Sequence, residues 1–107
     1  MTNRTRLPNR RNAIAFGFQH GHQSYRAQIG HFPGGIGIAE LFLDAAKPDS
    51  TLDAFAADAA ILISLLLQHG ASVAEIGHAL RRCPNGEPAS LIGAVVDQLK
   101  QVEGAHE

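Results

Sequence analysis

The sequence has one cysteine, one methionine, one tyrosine and no tryptophan. A single thiol cannot close an intrachain disulfide, and it cannot supply the ligands of a cysteine-based zinc finger. An excess of one charge is also missing. Nine Lys and Arg stand against ten Asp and Glu, for a net −1 with histidines neutral, which excludes a strongly basic, histone-like nucleic-acid binder. No apolar run approaches the ~18–20 residues of a membrane span. The first residues are polar and basic without an apolar h-region, so no secretory signal is expected. What is present is 107 residues, 45% hydrophobic and 18% charged. That composition folds, and the length suits one small domain. The expectation is a soluble cytoplasmic protein with no membrane contact.

Charge is unevenly placed. Residues 1–11 carry Arg4, Arg6, Arg10 and Arg11 and no acid, while the other five basic residues face all ten acidic ones. The segment reads as a basic flexible arm, followed by one domain over residues 12–103 and a frayed tail over 104–107. Residues 12–44 read as three strands. Ile14, Phe16 and Phe18 alternate with small residues, and Tyr25, Ala27 and Ile29 alternate with polar ones. Gln19–Gln23 and the glycine-rich stretch 30–35 read as the connections. In the third strand Ala39, Leu41 and Leu43 share one face and Ile38, Glu40 and Phe42 the other, as in a central strand or one covered on both sides. Short polar connections favour an antiparallel meander.

Three helices follow. Ser50 and Asp53 resemble a capping box, and Gly70 stands where a left-handed C-cap is expected. Between them Leu52, Phe55, Ala59, Ile63, Leu66 and Leu67 make one apolar face, while Ala54, Ile61, Leu62 and Leu65 make much of another. A helix apolar nearly all round is buried on several sides, and the first face, Phe55 included, is the expected core. Ser72 and Glu75 form an S-x-x-E box opening a second helix that ends near Arg81 and Arg82, where cations suit the dipole. Pro88 suits the first turn of a third helix, which buries Leu91, Ile92, Val95, Leu99 and Val102. The expected class is α+β: a three-stranded antiparallel meander followed by three helices packed on the sheet.

Several residues invite chemistry. His20 and His22 could share one side of an extended segment with His31 across the next turn, and three imidazoles can hold zinc. All three lie in loops with no nearby acid to fix their tautomers, so solvated turn histidines are the simpler reading and no metal or other cofactor is expected. Cys83 has Arg81, Arg82 and His78 nearby in sequence, but no second cysteine for dithiol exchange. Gly34-Gly35-x-Gly37 precedes a strand and not a helix, so it offers no phosphate cradle and reads as a turn. Asp44, Asp49, Asp53 and Asp58 suggest a carboxylate cluster. Asp49 and Asp53 suit a helix N-terminus, and Asp58 is expected to pair with an arginine such as Arg26.

The strings Arg6–Arg11, Tyr25–Gly30, Ile38–Leu43, Asp58 through Gly70, Cys83-Pro84 and Pro88–Gly93 keep an order and spacing that resembles the TSCPD domain. That domain occurs near the C-terminus of vitamin B12-dependent ribonucleotide reductases and as small free-standing bacterial proteins. The family's name motif, Thr-Ser-Cys-Pro-Asp, here reads Arg81-Arg82-Cys83-Pro84-Asn85, so only Cys-Pro is kept. The catalytic barrel, the radical-forming cysteine and the paired C-terminal cysteines of such reductases have no counterpart here. The resemblance therefore implies a non-catalytic accessory or interaction module that binds a reductase subunit, another protein or a nucleotide. Arg6, Arg10, Arg11, Arg81, Arg82 and Cys83 are the candidate binding residues. The alternative is a nucleic-acid-binding protein that uses its arginine arm on phosphates. The all-round apolar helix adds the expectation of a homodimer.

Overall fold

In the computed structural model, residues 13–35 and 37–105 are described. Strands β1 (Ala13–His20), β2 (Gln23–His31) and β3 (Ile38–Ala45) form one sheet in the order β1-β2-β3. Both pairings are antiparallel. Helices α1 (Thr51–Gln68), α2 (Val73–Ala79) and α3 (Leu91–Ala105) follow. The expected α+β meander with three helices is the observed architecture.

The first hairpin closes on two residues, Gly21 and His22, with Gly21 at φ 62°. A positive φ at the first turn position matches the strand twist and suits glycine. Beyond it the period-two pattern sets two faces. Phe16 stands across from Ala27 and Ala27 across from Leu43; Phe18 stands across from Tyr25 and Tyr25 across from Ala45. These residues, with Ile14, Ile29 and Leu41, line the inner face, where the Phe18 and Tyr25 rings stack at 5.3 Å. Ala56, Ala60, Ile63 and Leu67 of α1, Val73 of α2, and Leu91, Ala94, Val95, Val96 and Leu99 of α3 complete the core. Ile38 departs from simple alternation. The register shifts between Gly30 and His31, and this bulge turns Ile38 into the core, where it is 2% exposed.

β3 is an edge strand, not a central one, and α1 covers its edge. The Leu41 N–H donates to Ser64 Oγ at 2.8 Å, and that hydroxyl lies within bonding distance of the Leu41 and Ala60 carbonyls. Gln68 Nε2 donates to the Ala39 carbonyl at 3.0 Å. The Ala45 N–H donates to Asp53 Oδ1 at 2.9 Å. Asp53, Ser64 and Gln68 are separated by eleven and four residues, which places them on one side of a 3.6-residue helix. Their order along β3 is reversed, so helix and strand run antiparallel. An edge that would otherwise offer unpaired backbone groups to any passing strand is thereby satisfied within the chain.

Cap chemistry sets the helix ends. Ser50 Oγ accepts from the Asp53 N–H. Asp53 does not return the bond to Ser50; it serves Ala45 and Asp49 instead. Gly70 closes α1 at φ 104° in a Schellman motif, with the Ala71 N–H on the Leu66 carbonyl and the Gly70 N–H on the Leu67 carbonyl. The Ser72–Glu75 capping box forms in full.

Four expectations give way. Of the expected core face of α1, Ala59, Ile63 and Leu67 are buried, but Phe55 and Leu66 at its border are not: they are 56% and 49% exposed. α1 is apolar on every side, so apolarity could not choose its buried face, and the three polar side chains that serve the sheet edge chose it. Asp58 lies on the exposed side of α1 and makes no ion pair with Arg26, which stands across from Asp44 on the sheet. α2 ends at Ala79 with Leu80 extended, one turn before Arg82. α3 begins at Leu91, where the Gly93 N–H donates to Ser90 Oγ, leaving Pro88 outside, and it continues past residue 103 to Ala105. By length and composition alone, α1 could cross a membrane; here its polar stripe is spent on the sheet edge.

Candidate functional site

Arg6, Arg10 and Arg11 lie outside the described residues, whereas Arg81, Arg82 and Cys83 stand together in a small hairpin. The Gly86 N–H donates to the Cys83 carbonyl at 2.9 Å and the Cys83 N–H to the Glu87 carbonyl at 2.8 Å. Arg82 bridges to Pro88 across it. This is a four-residue turn over Cys83–Gly86 whose last residue is a left-handed glycine, Gly86 at φ 89°. Each residue type has a reason to be there. Pro84 presets the first turn angle, Asn85 Oδ1 accepts from the Glu87 N–H at 3.0 Å, and Gly86 supplies the positive φ.

Arg82 locks this hairpin to α3. Its guanidinium donates to both Asp97 oxygens, at 3.0 and 2.6 Å, and to the Gly86 carbonyl at 3.0 Å. A forked pair of this kind engages the arginine within the chain. Cys83 is a free, exposed thiol. The hydrogen bond from Arg82, more than its bare charge, holds the Asp97 carboxyl below its usual value of 3.8, against a smaller opposing effect of burial. The lowered value fixes the sign of a pH effect. The pair's stabilisation is complete above the ordinary carboxylate range and is lost as pH falls through the lower folded value. Asp97→Asn is therefore expected to lower the thermal midpoint at neutral pH. The gap from wild type should close in strong acid; a gap that stays constant from neutral to strongly acidic pH would remove Asp97 from this role.

The histidines do not converge. His20 and His22 sit at the first hairpin and His31 at the far end of β2. Nine residues of extended chain separate His22 from His31, ~30 Å at ~3.3 Å per residue. No cluster of three or more metal-ligating side chains occurs among the described residues. His20 does meet the hairpin region. A polar cleft of about 430 Å³ is lined by Gln19, His20, Glu87, Pro88, Asp97 and Gln101, among others.

A second hollow was not foreseen. Between α1 and the outer face of β3 runs a groove of about 520 Å³, walled by Phe42, Ala57, Ile61 and Leu65, with Glu40 and Asp44 along the strand. Phe42 and Ile61 are 54% and 56% exposed. On the outer sheet face beside it Arg26 stands across from Asp44 and Gln28 across from Phe42, and Gly30 leaves room for the buried Glu40 side chain. A Cβ at Gly30 would lie 2.8 Å from Glu40 Oε1. The available signal was the spacing of Asp53, Ser64 and Gln68: a polar stripe in an apolar helix that had to face backbone groups.

A family model for the TSCPD domain matches residues 3–103. The chain belongs to the TSCPD domain family. This family is found in ribonucleotide reductase-related proteins. Comparison with curated proteins and with solved structures finds no match to the chain. In this TSCPD domain, the positions that resemble the name motif, Arg81–Asn85, are the hairpin locked by Arg82. The change from Asp to Asn at residue 85 keeps the side-chain oxygen that serves the Glu87 N–H.

Proposed function

We propose that this TSCPD domain is a non-catalytic accessory module of the ribonucleotide reductase-related kind, soluble and cytoplasmic, that works by holding a protein partner. The observation that carries this reading is the groove between α1 and β3. Two large apolar side chains, Phe42 and Ile61, are more than half exposed at its walls. Asp44 beside them is exposed as well. Such a surface suits a partner segment that inserts an apolar side chain and sets a basic group beside Asp44. A reductase subunit is the partner the family points to first.

The test is capture of a purified reductase catalytic subunit by immobilised domain. Phe42→Asp should weaken capture at least tenfold without unfolding the domain, because the ring is already in solvent. Equal capture by wild type and Phe42→Asp overturns the groove as the binding surface. A salt-dependent shift with oligonucleotide that disappears when residues 1–11 are deleted, with no reductase captured, would favour the arginine arm on phosphates instead.

A further inference from the structure

The apolar surface of α1 extends beyond the groove. With Ser64 facing the sheet edge, the 100° step per residue puts Phe55, Ala59, Leu62 and Leu66 on the opposite side. Phe55, Leu62 and Leu66 are 56%, 62% and 49% exposed, and Ala59, only 6% exposed, forms the floor between them. Their spacings of four, three and four are the seam pattern of paired helices. The pattern is also self-complementary: turned end for end about a point between Ala60 and Ile61, Phe55 falls on Leu66 and Ala59 falls on Leu62. Large meets large at the ends, and small meets large at the centre.

We infer that this side of α1 is occupied by a second copy of the chain, with the two α1 helices antiparallel about a twofold axis that passes between Ala60 and Ile61. The area agrees with what a dimer needs. At about half exposure, Phe55, Leu62 and Leu66, with the remaining surface of half-buried Leu52, leave on the order of 400 Å² of apolar surface in water. A standard interface takes about 800 Å² per partner, roughly 55–65% of it apolar. The seam thus supplies nearly the whole apolar share, and the twofold requires no further sequence feature. Within α1, Asp58 is the charged residue at the flank of the seam. The groove at Phe42 and Ile61 lies on the other flank of α1, so self-association and the proposed partner contact use different surfaces.

Sedimentation equilibrium over micromolar concentrations tests this on the whole chain. A dimer is expected, little changed by salt because apolar burial drives it. Leu62→Glu should raise its dissociation constant at least tenfold, with an unchanged circular dichroism spectrum. Phe42→Asp should leave the dimer intact, so failure of the groove reading and failure of the dimer are separable. The register has its own test in a Cys83→Ser background. Phe55→Cys mixed with Leu66→Cys should form a disulfide-linked dimer, and neither variant alone should, because like residues lie ~16 Å apart in this arrangement. A monomer at all concentrations overturns the dimer. A dimer that resists Leu62→Glu or yields to Phe42→Asp overturns the face. Cross-linking of either variant alone overturns the antiparallel register.

Discussion

Leu99→Ala is expected to lower the unfolding free energy by ~2–5 kcal/mol, while Phe55→Ala lowers it by less than ~1 kcal/mol. Leu99 is 0% exposed in the core beneath the sheet, and Phe55 is 56% exposed on α1. Truncating the first leaves a cavity whose lining loses its contacts; truncating the second removes a ring already in water. Urea unfolding checks both, at concentrations low enough that self-association does not contribute. The contrast matters because sequence pattern alone places both residues in the core, Phe55 at core spacing from Ala59 and Ile63 and Leu99 at core spacing from Val95. A Phe55→Ala loss as large as that of Leu99→Ala would mean α1 is rotated from the orientation described.

Ser64→Ala is expected to destabilise by ~1–3 kcal/mol, although it removes one oxygen. The hydroxyl is the acceptor for the Leu41 N–H at 2.8 Å. Without it, that amide is left without its partner at a part-buried sheet edge beside the groove. The effect is larger than the net worth of an ordinary hydrogen bond because a donor is stranded and not merely exchanged for water. Hydrogen exchange gives the site-specific check. The Leu41 amide should exchange faster in Ser64→Ala, beyond what the global loss of stability accounts for. Unchanged exchange at Leu41 would show that the edge is held by something other than this side chain.

Most elements of the fold were legible in the sequence because they are set by local chemistry. The three strands follow from alternation, the first hairpin from Gly21, and the helix boundaries at Ser50, Gly70 and Ser72 from cap residues whose side chains or φ angles act within one turn. The Cys-Pro segment was recognisable as a loop. That it is a closed hairpin pinned by Arg82 was not, since Asp97 lies fifteen residues away. Likewise Ile38 was assigned to the outer face, because the bulge beside Gly30 and His31 depends on pairing between strands. The candidate groove escaped notice because its walls come from β3 and α1, and its existence depends on which side of the helix faces the strand.

By itself, then, the sequence determined the element order, the antiparallel meander, the caps and the family membership, all carried by residues close in the chain or by a linear order of strings. Only the tertiary structure decided where the buried side of α1 ends, with Ala59, Ile63 and Leu67 inside and Phe55 and Leu66 out. Hydrophobic patterning is silent on a helix apolar all round, since burying either face gains similar free energy. The choice fell to the unpaired backbone groups of β3, which cost more to leave without partners than an exposed phenylalanine or leucine costs in water. Asp53, Ser64 and Gln68 turn toward that edge, and Phe55, Leu62 and Leu66 are left facing out.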